Sequence, residues 1–307
     1  MTSLPGSART RRRRPVDLSV AAVLAVVIAC LFLTVGIPVG KLLGAALSPD
    51  GRSAILASLT IQTTPLRNTI VLGALVGTLG TAIGFLTAYA QVFLDFRGKR
   101  ALHWITLLPT VSPPFATATA LITLFGKRGI ITFHLLGADH NIYGLQGLTI
   151  VLAMTFAPVA YLNIRGMFEN MDPSHFEAAA SLGASPLQTL FKVTIPMTIP
   201  ALLASFLVLF VEGIADLANP LVLGGDYRVL ASQIYFAVAG GGDVASAAGI
   251  ALVLLVPAIS VFAVQKYWAG KKTVITVTGK PTGTVKPVTA RTVKYPVLLL
   301  VGVWVAL

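Results

Sequence analysis

The chain has 307 residues, of which 55% are hydrophobic and only 11% charged, and it carries a net charge of +12. Soluble domains run near 25% charged, so this composition cannot cover a water-exposed surface and excludes a soluble enzyme or binding module. Nor does the positive charge point to nucleic acid, because no soluble domain interleaves basic and aromatic side chains.

Residues 1–17 form a basic N-terminus containing Arg9 and Arg11 to Arg14, and an apolar run follows from 18 to 39. Val27-Ile28-Ala29-Cys30 loosely resembles a lipoprotein processing site. The apolar run continues past Cys30 to Val39, which suits an uncleaved spanning helix better than a short signal core. Cys30 is the single cysteine, so an intrachain disulfide or multi-cysteine metal site is excluded.

Further runs at 68–90, 102–125, 146–164, 197–222 and 244–265 approach the ~20 apolar residues needed to cross ~30 Å of hydrocarbon. The expected fold is an all-α polytopic membrane bundle of six spans, with the start of a seventh and short helices between the fourth and fifth. Glycines 73, 77, 80 and 84 recur at helical spacing in the second span, a small-residue stripe for close helix approach. Pro109, Pro113 and Pro114 in the third span and Pro158 in the fourth remove backbone donors and predict bends.

Lys and Arg placement sets the orientation, since short cytoplasmic loops hold the basic excess. With the N-terminus inside, only Lys41, Arg52, Arg67, Lys127, Arg128 and Arg228 fall outside. The segment between the fourth and fifth spans is then cytoplasmic. There, Asp172-Pro173 reads as an N-cap followed by proline at the first helical position. A helix over 173–182 ends at Gly183, which can take the left-handed conformation, and Ser185-Pro186 starts a second short helix.

In the fifth span Glu212, Asp216 and Asn219 are spaced by four and three, which places them on one face of a continuous helix. Two carboxylates in a bilayer need a cavity, a partner or water. They read either as a polar stripe along a substrate path, suited to a hard cation or an amine, or as a structural cap near the span's outer end. Beyond the sixth span, residues 266–294 are polar, basic and rich in Thr, Lys, Gly and Pro, as in a linker. Residues 295–307 open a new apolar run covering only ~20 Å as a helix. This reads as a seventh span that is cut short, or as a half-inserted terminal segment.

No residue set supports covalent catalysis. Gly126-Lys127-Arg128 and Gly270-Lys271-Lys272 do not complete a phosphate loop. His103, His134, His140 and His175 lack metal-ligand spacing. The expectation is no catalytic, cofactor-binding or metal residue on this chain.

The segment 177–196 carries a longer pattern: Glu177-Ala178-Ala179, three residues, Gly183, nine residues, then Val193-Thr194-Ile195-Pro196. It resembles the EAA loop of ATP-binding-cassette (ABC) importer permeases, E-A-A-x3-G-x9-I-x-L-P, with Val193 and Ile195 as aliphatic exchanges. Ala215-Asp216-Leu217-Ala218-Asn219-Pro220 is similar to the A-D-F-G-N-P stretch of ferric-iron-type permeases, with Leu217 and Ala218 in place of Phe and Gly. The resemblance covers roughly residues 60–268 and implies a permease domain over 18–265 whose coupling loop is 172–196. It assigns ATPase coupling to Glu177, Ala178, Ala179, Gly183, Ile195 and Pro196. It further implies a multi-pass protein of the bacterial inner membrane with a cytoplasmic ABC ATPase dimer that holds ATP and Mg, a periplasmic substrate-binding protein, and a second permease half, fused through the linker or separate. Ferric iron is the favoured cargo, with aminoethylphosphonate, thiamine or polyamine as alternatives. An ion-coupled secondary transporter or a non-transporting membrane scaffold would be a different class, and neither explains the capped helix pair at the EAA spacing.

Overall fold

A computed structural model describes residues 18–113, 115–138, 141–271 and 290–306. The basic run within 1–17, Pro114, His140 and linker residues 272–289 lie outside the described residues. Among the described residues the chain is all helix, with no strand.

Helix α1 (Leu18–Leu31) passes through a π-helical turn (Phe32–Gly36) into α2 (Ile37–Ala46), giving one apolar rod of 28 residues from Ser19. Nearly all of that rod is exposed, with Val23 65% and Phe32 65% accessible, so its surface suits lipid rather than water. Next come α3 (Pro49–Thr60), capped by Ser48 with the Gly51 backbone N–H donating to its hydroxyl, and α4 (Thr63–Phe93), 31 residues long. The α3 helix was not expected from the sequence, because its mixed composition has no strong apolar period. It is held by contact with α13: a Cβ on Gly249 would lie 2.4 Å from the Gly51 carbonyl oxygen.

The third span departs from expectation. Instead of one helix over 102–125 there are two, α5 (Lys99–Val111) and α6 (Ala116–Phe125), and the chain turns by 108° between α5 and the segment Ala116–Leu135. The break falls where Pro113 and Pro114 remove consecutive donors, so the helix cannot continue. The fourth span, α7 (Leu145–Glu169), keeps Pro158 inside an unbroken helix.

After α8 (Ser174–Ser181), helix α9 (Pro186–Thr189) runs through a π-helical turn (Leu190–Thr194) directly into α10 (Ile195–Ala215). The second short helix is therefore the first turn of the fifth span, not a separate element, and Pro186–Ala215 forms one rod of 30 residues. The widened turn precedes the donor-less Pro196, a local adjustment that carries the helix past a proline. This rod ends at Ala215 rather than at 222. Then follow α11 (Ala218–Leu223), α12 (Leu230–Gly241), α13 (Val244–Lys271) and α14 (Arg291–Ala306).

Among the described residues five helices are long and apolar enough to cross a membrane, or six with the bent pair counted as one span. At the centre lies α4, packed between α7 and α10. Its glycine stripe permits this: Gly73 and Gly77 face Ile214 and Phe206 of α10, while Gly84 faces the α7 backbone at Ala160 and Tyr161. Two buried hydroxyls are satisfied within their own helix, as Thr69 donates to the Pro65 carbonyl and Thr87 to the Ile83 carbonyl, whereas those of Thr81 and Thr149 have no hydrogen-bond partner among the described residues. Between helices, Asn163 of α7 donates to Ser205 Oγ of α10 at 2.9 Å. Val293, Val297 and Val301 of α14 are buried in the same core cluster as Tyr89 and Phe93 of α4, and Trp304 on the same helix is also buried.

Candidate functional site

The segment 172–196 is built from local capping. Asp172 Oδ1 accepts the Ser174 N–H at 2.9 Å, and Glu177 N–H donates to the Pro173 carbonyl, so the helix starts with a carboxylate at its positive end. The hydrogen bonds from Ser174, backbone first and hydroxyl second, hold the Asp172 carboxyl below the ordinary carboxylate range. At the other end Gly183 has φ +75°, with Gly183 N–H donating to the Ala180 carbonyl and Ala184 N–H to that of Ala179. These two bonds form the left-handed termination that favours glycine. Immediately after, Ser185 and Gln188 form a reciprocal capping box: Gln188 N–H donates to Ser185 Oγ, and Ser185 N–H to Gln188 Oε1 at 2.8 Å.

Two side chains tie this unit to the bundle. Phe176 packs against Phe93 of α4 with ring centroids 5.4 Å apart, and Phe93 in turn meets Phe168 of α7 at 4.9 Å. Ala179 faces inward and is buried, whereas Glu177, Ala178 and Gly183 are exposed. Ile195 is half-buried and Pro196 exposed where α10 begins. Other apolar side chains on this segment are left outside the bundle, Leu182 being 87% exposed and Phe191 64%. The result is a rigid capped helix with an apolar outer ridge, anchored through an aromatic stack to two long helices.

The carboxylate group is arranged differently from the sequence expectation. Glu212 is exposed on α10, but Asp216 leaves the helical conformation with ψ 130° and Asn219 belongs to α11, so the three do not share one helical face. Asp216 Oδ2 accepts both the Asn219 backbone N–H at 3.1 Å and its Nδ2 at 2.8 Å. The carboxylate caps α11, which is why α10 stops where it does. Asn219 is 1% exposed, and its Oδ1 has no hydrogen-bond partner.

Sequence reasoning missed the strap that follows. Tyr227 donates its hydroxyl to the Asn68 carbonyl, Asn68 Nδ2 donates to the Arg228 carbonyl, and Leu230 N–H donates to Thr69 Oγ1, pinning residues 227–230 to the first turns of α4. A cavity of about 770 Å³ lies beside it, lined by Gln62, Tyr143, Pro220, Arg228, Gln233 and Phe236. The partners are some 160 positions apart in the chain, so no local pattern announces the contact. Only the polar Asn68-Thr69 pair at the head of an apolar run signals it. His103, His134 and His175 lie on separate helices, and among the described residues no three His, Cys, Asp or Glu side chains converge as a metal would require.

Residues 80–273 match the family described as the binding-protein-dependent transport system inner membrane component. The chain belongs to this family. As a member it is a multi-pass permease component of the inner membrane. It is 35% identical over 245 residues to the ferric transport system permease protein FbpB of Actinobacillus pleuropneumoniae, covering 78% of this chain and 36% of that protein. It is 27% identical over 229 residues to the spermidine/putrescine transport system permease protein PotC homolog of Mycoplasma genitalium, covering 73% and 78%. The chain therefore spans little more than a third of the length of the ferric relative. A solved bacterial alginate ABC transporter, in complex with its alginate-bound periplasmic protein, superimposes with a TM-score of 0.69 at 16% identity, over 83% of this chain and 95% of that one. This last likeness speaks for the fold alone.

Proposed function

We propose that this chain forms one half of the membrane pathway of an ABC importer and that residues 172–196 are the surface on which a cytoplasmic ATPase docks. The observation that carries the reading is the capped helix α8 with its outward ridge of Leu182, Leu187 and Phe191, apolar side chains that a permease has no reason to expose to water unless a partner covers them. Glu177, Ala178 and Gly183 lie on the exposed side of the same unit. Ala179 is buried against the bundle, and Ile195 and Pro196 open the long helix α10 that leads away from the segment. ATP and Mg belong to the partner ATPase, and a periplasmic binding protein delivers cargo at the opposite end. The N-terminus is cytoplasmic on this reading, as the basic residues require.

A second permease half completes the pathway, either joined through 266–294 or on another chain. The cargo is ferric iron, supported by the 35% identity to a ferric transport permease. Polyamine, aminoethylphosphonate or thiamine import would use the same architecture.

Docking is tested by binding of the cognate ATPase to the full-length permease in detergent. Leu182→Asp and Phe191→Asp are expected to weaken binding by roughly 10-fold or more each, the range of interface anchors. Unchanged binding in both would overturn the assignment of this surface.

A further inference from the structure

Near the end of α7 lies a polar network that the coupling loop does not itself contain. Tyr161, Arg165 and Glu169 follow one another at intervals of four on one helical face. Arg165 Nε donates to Glu169 Oε1 at 2.7 Å, and its Nη1 lies 3.2 Å from Tyr161 Oη and 3.0 Å from Nδ1 of His103 on α5. Tyr161 Oη is 2.7 Å from the same Nδ1, and the guanidinium sits over the Tyr161 ring at 6.0 Å.

The chemistry of these groups fixes the direction of each bond. A guanidinium has only donors, so Nδ1 of His103 must be the unprotonated nitrogen, and the Tyr161 hydroxyl donates to it. The imidazole is neutral, because a proton on Nδ1 would face the Arg165 cation. The single Nδ1 lone pair of His103 is thus shared by two donors from α7, the Tyr161 hydroxyl at 2.7 Å and Arg165 Nη1 at 3.0 Å, which ties α5 to α7 in one register. Apolar packing alone would let the two helices slide, whereas a directional network with a shared acceptor has few alternative arrangements.

The position of this lock matters because Glu169, which holds Arg165, is the last residue of α7, and Asp172 opens the coupling segment just beyond it. On its other side, α5 is the near half of the span that turns by 108° before α6. The α5 helix has no short chain connection to the coupling segment.

Resting on the importer reading above, we infer that His103, Tyr161 and Arg165 are positioning residues that make α5 move with the coupling segment, so that ATPase closure reaches the bent span. His103 is the acceptor that joins the two helices, and Arg165 orients it from α7.

The test uses the full-length permease reconstituted in proteoliposomes with its ATPase and binding protein, reading cargo imported per ATP hydrolysed. Tyr161→Phe keeps the buried ring and removes the hydroxyl, while His103→Leu removes the acceptor. Each is expected to lower the import-to-hydrolysis ratio by roughly 5-fold or more, the lower range of coupling between sites, while binding-protein-stimulated hydrolysis persists. His103→Asn, which returns an acceptor oxygen near the Nδ1 position, is expected to restore most of the ratio. An unchanged ratio in His103→Leu and Tyr161→Phe overturns the tie and leaves the importer reading standing. A deficit in His103→Asn equal to that of His103→Leu also overturns it, since bulk and not the acceptor would then be the cause. No stimulated hydrolysis in the unaltered permease overturns the importer reading and the tie together.

Discussion

Gly84 of α4 lies against Ala160 of α7 so closely that a Cβ on Gly84 would sit 2.6 Å from the Ala160 Cβ and 2.8 Å from the Tyr161 backbone nitrogen. Backbone cannot yield as a side-chain tip can, so the two helices would have to part. Gly84→Ala is expected to cost about 1–3 kcal/mol of stability, the usual range for overpacking. This outweighs the roughly 1 kcal/mol that alanine gains over glycine in a helix. Gly166→Ala on the far side of α7, where nothing lies within 4 Å, is the control and is expected to be neutral or stabilising. Thermal unfolding of the purified protein in detergent checks both. A Gly84→Ala protein as stable as the parent would mean that α4 and α7 do not meet in this way.

The termination of α8 depends on backbone conformation alone, since Gly183 has φ +75° and nothing within 4 Å of its Cβ position. Asparagine tolerates the left-handed region and a β-branched residue does not. Gly183→Val is therefore expected to fray α8 and cut transport by at least roughly 10-fold, while Gly183→Asn retains most of the helix. Amide exchange over 174–184 separates the two effects. Equal protection in both variants would remove the conformational account, and loss of transport in Gly183→Asn with α8 intact would place a partner directly against this residue.

Between α7 and α10 the bond from Asn163 Nδ2 to Ser205 Oγ, supplemented by one to the Ala201 carbonyl at 3.3 Å, is a polar tie that runs from an exposed Asn163 to a buried Ser205. Interhelical hydrogen bonds within membranes are worth about 0.6 kcal/mol on average. Ser205→Ala is expected to lower stability by about that amount, because Asn163 keeps the Ala201 carbonyl as an acceptor. Asn163→Leu, which breaks both bonds, is expected to cost more, and a double-mutant cycle gives the coupling.

The carboxylate of Asp172 links the start of α8 to pH. Its folded pKa is depressed by the hydrogen bonds from Ser174, so its contribution is present above the unfolded value near ~3.9 and is lost as pH falls through the lower folded value. Protection of the Ser174 amide is expected to be flat from neutral pH to about pH 5 and to fall only in stronger acid. Asp172→Ala is expected to lose the protection at every pH. Protection that declines between pH 7 and 5 would point to a different titrating group.

Those residues whose structural role is local were legible in the sequence. Asp172, Gly183 and the Ser185-Pro186 pair announce their turns because each cap is made within three or four positions, and the span count follows from apolar length. What escaped is decided at a distance or by competition. The helix through Pro196 continues because an upstream π-helical turn absorbs the missing donor, so the second short helix merged with the fifth span. Asp216 at helical spacing from Glu212 looked like a stripe, yet its carboxylate caps α11 and ends α10. The Tyr227 to Asn68 strap and the Gly51 to Gly249 contact join residues about 160 and 200 positions apart. Neither leaves a period or motif in a single sequence.

The central claim, ATP-driven import coupled through 172–196, is tested most directly by ATP hydrolysis in proteoliposomes holding the full-length permease, its ATPase and its binding protein. The account predicts hydrolysis stimulated by binding protein loaded with ferric iron, not by aminoethylphosphonate, and lost in Gly183→Val. Iron uptake driven by a proton or sodium gradient without ATP would contradict it.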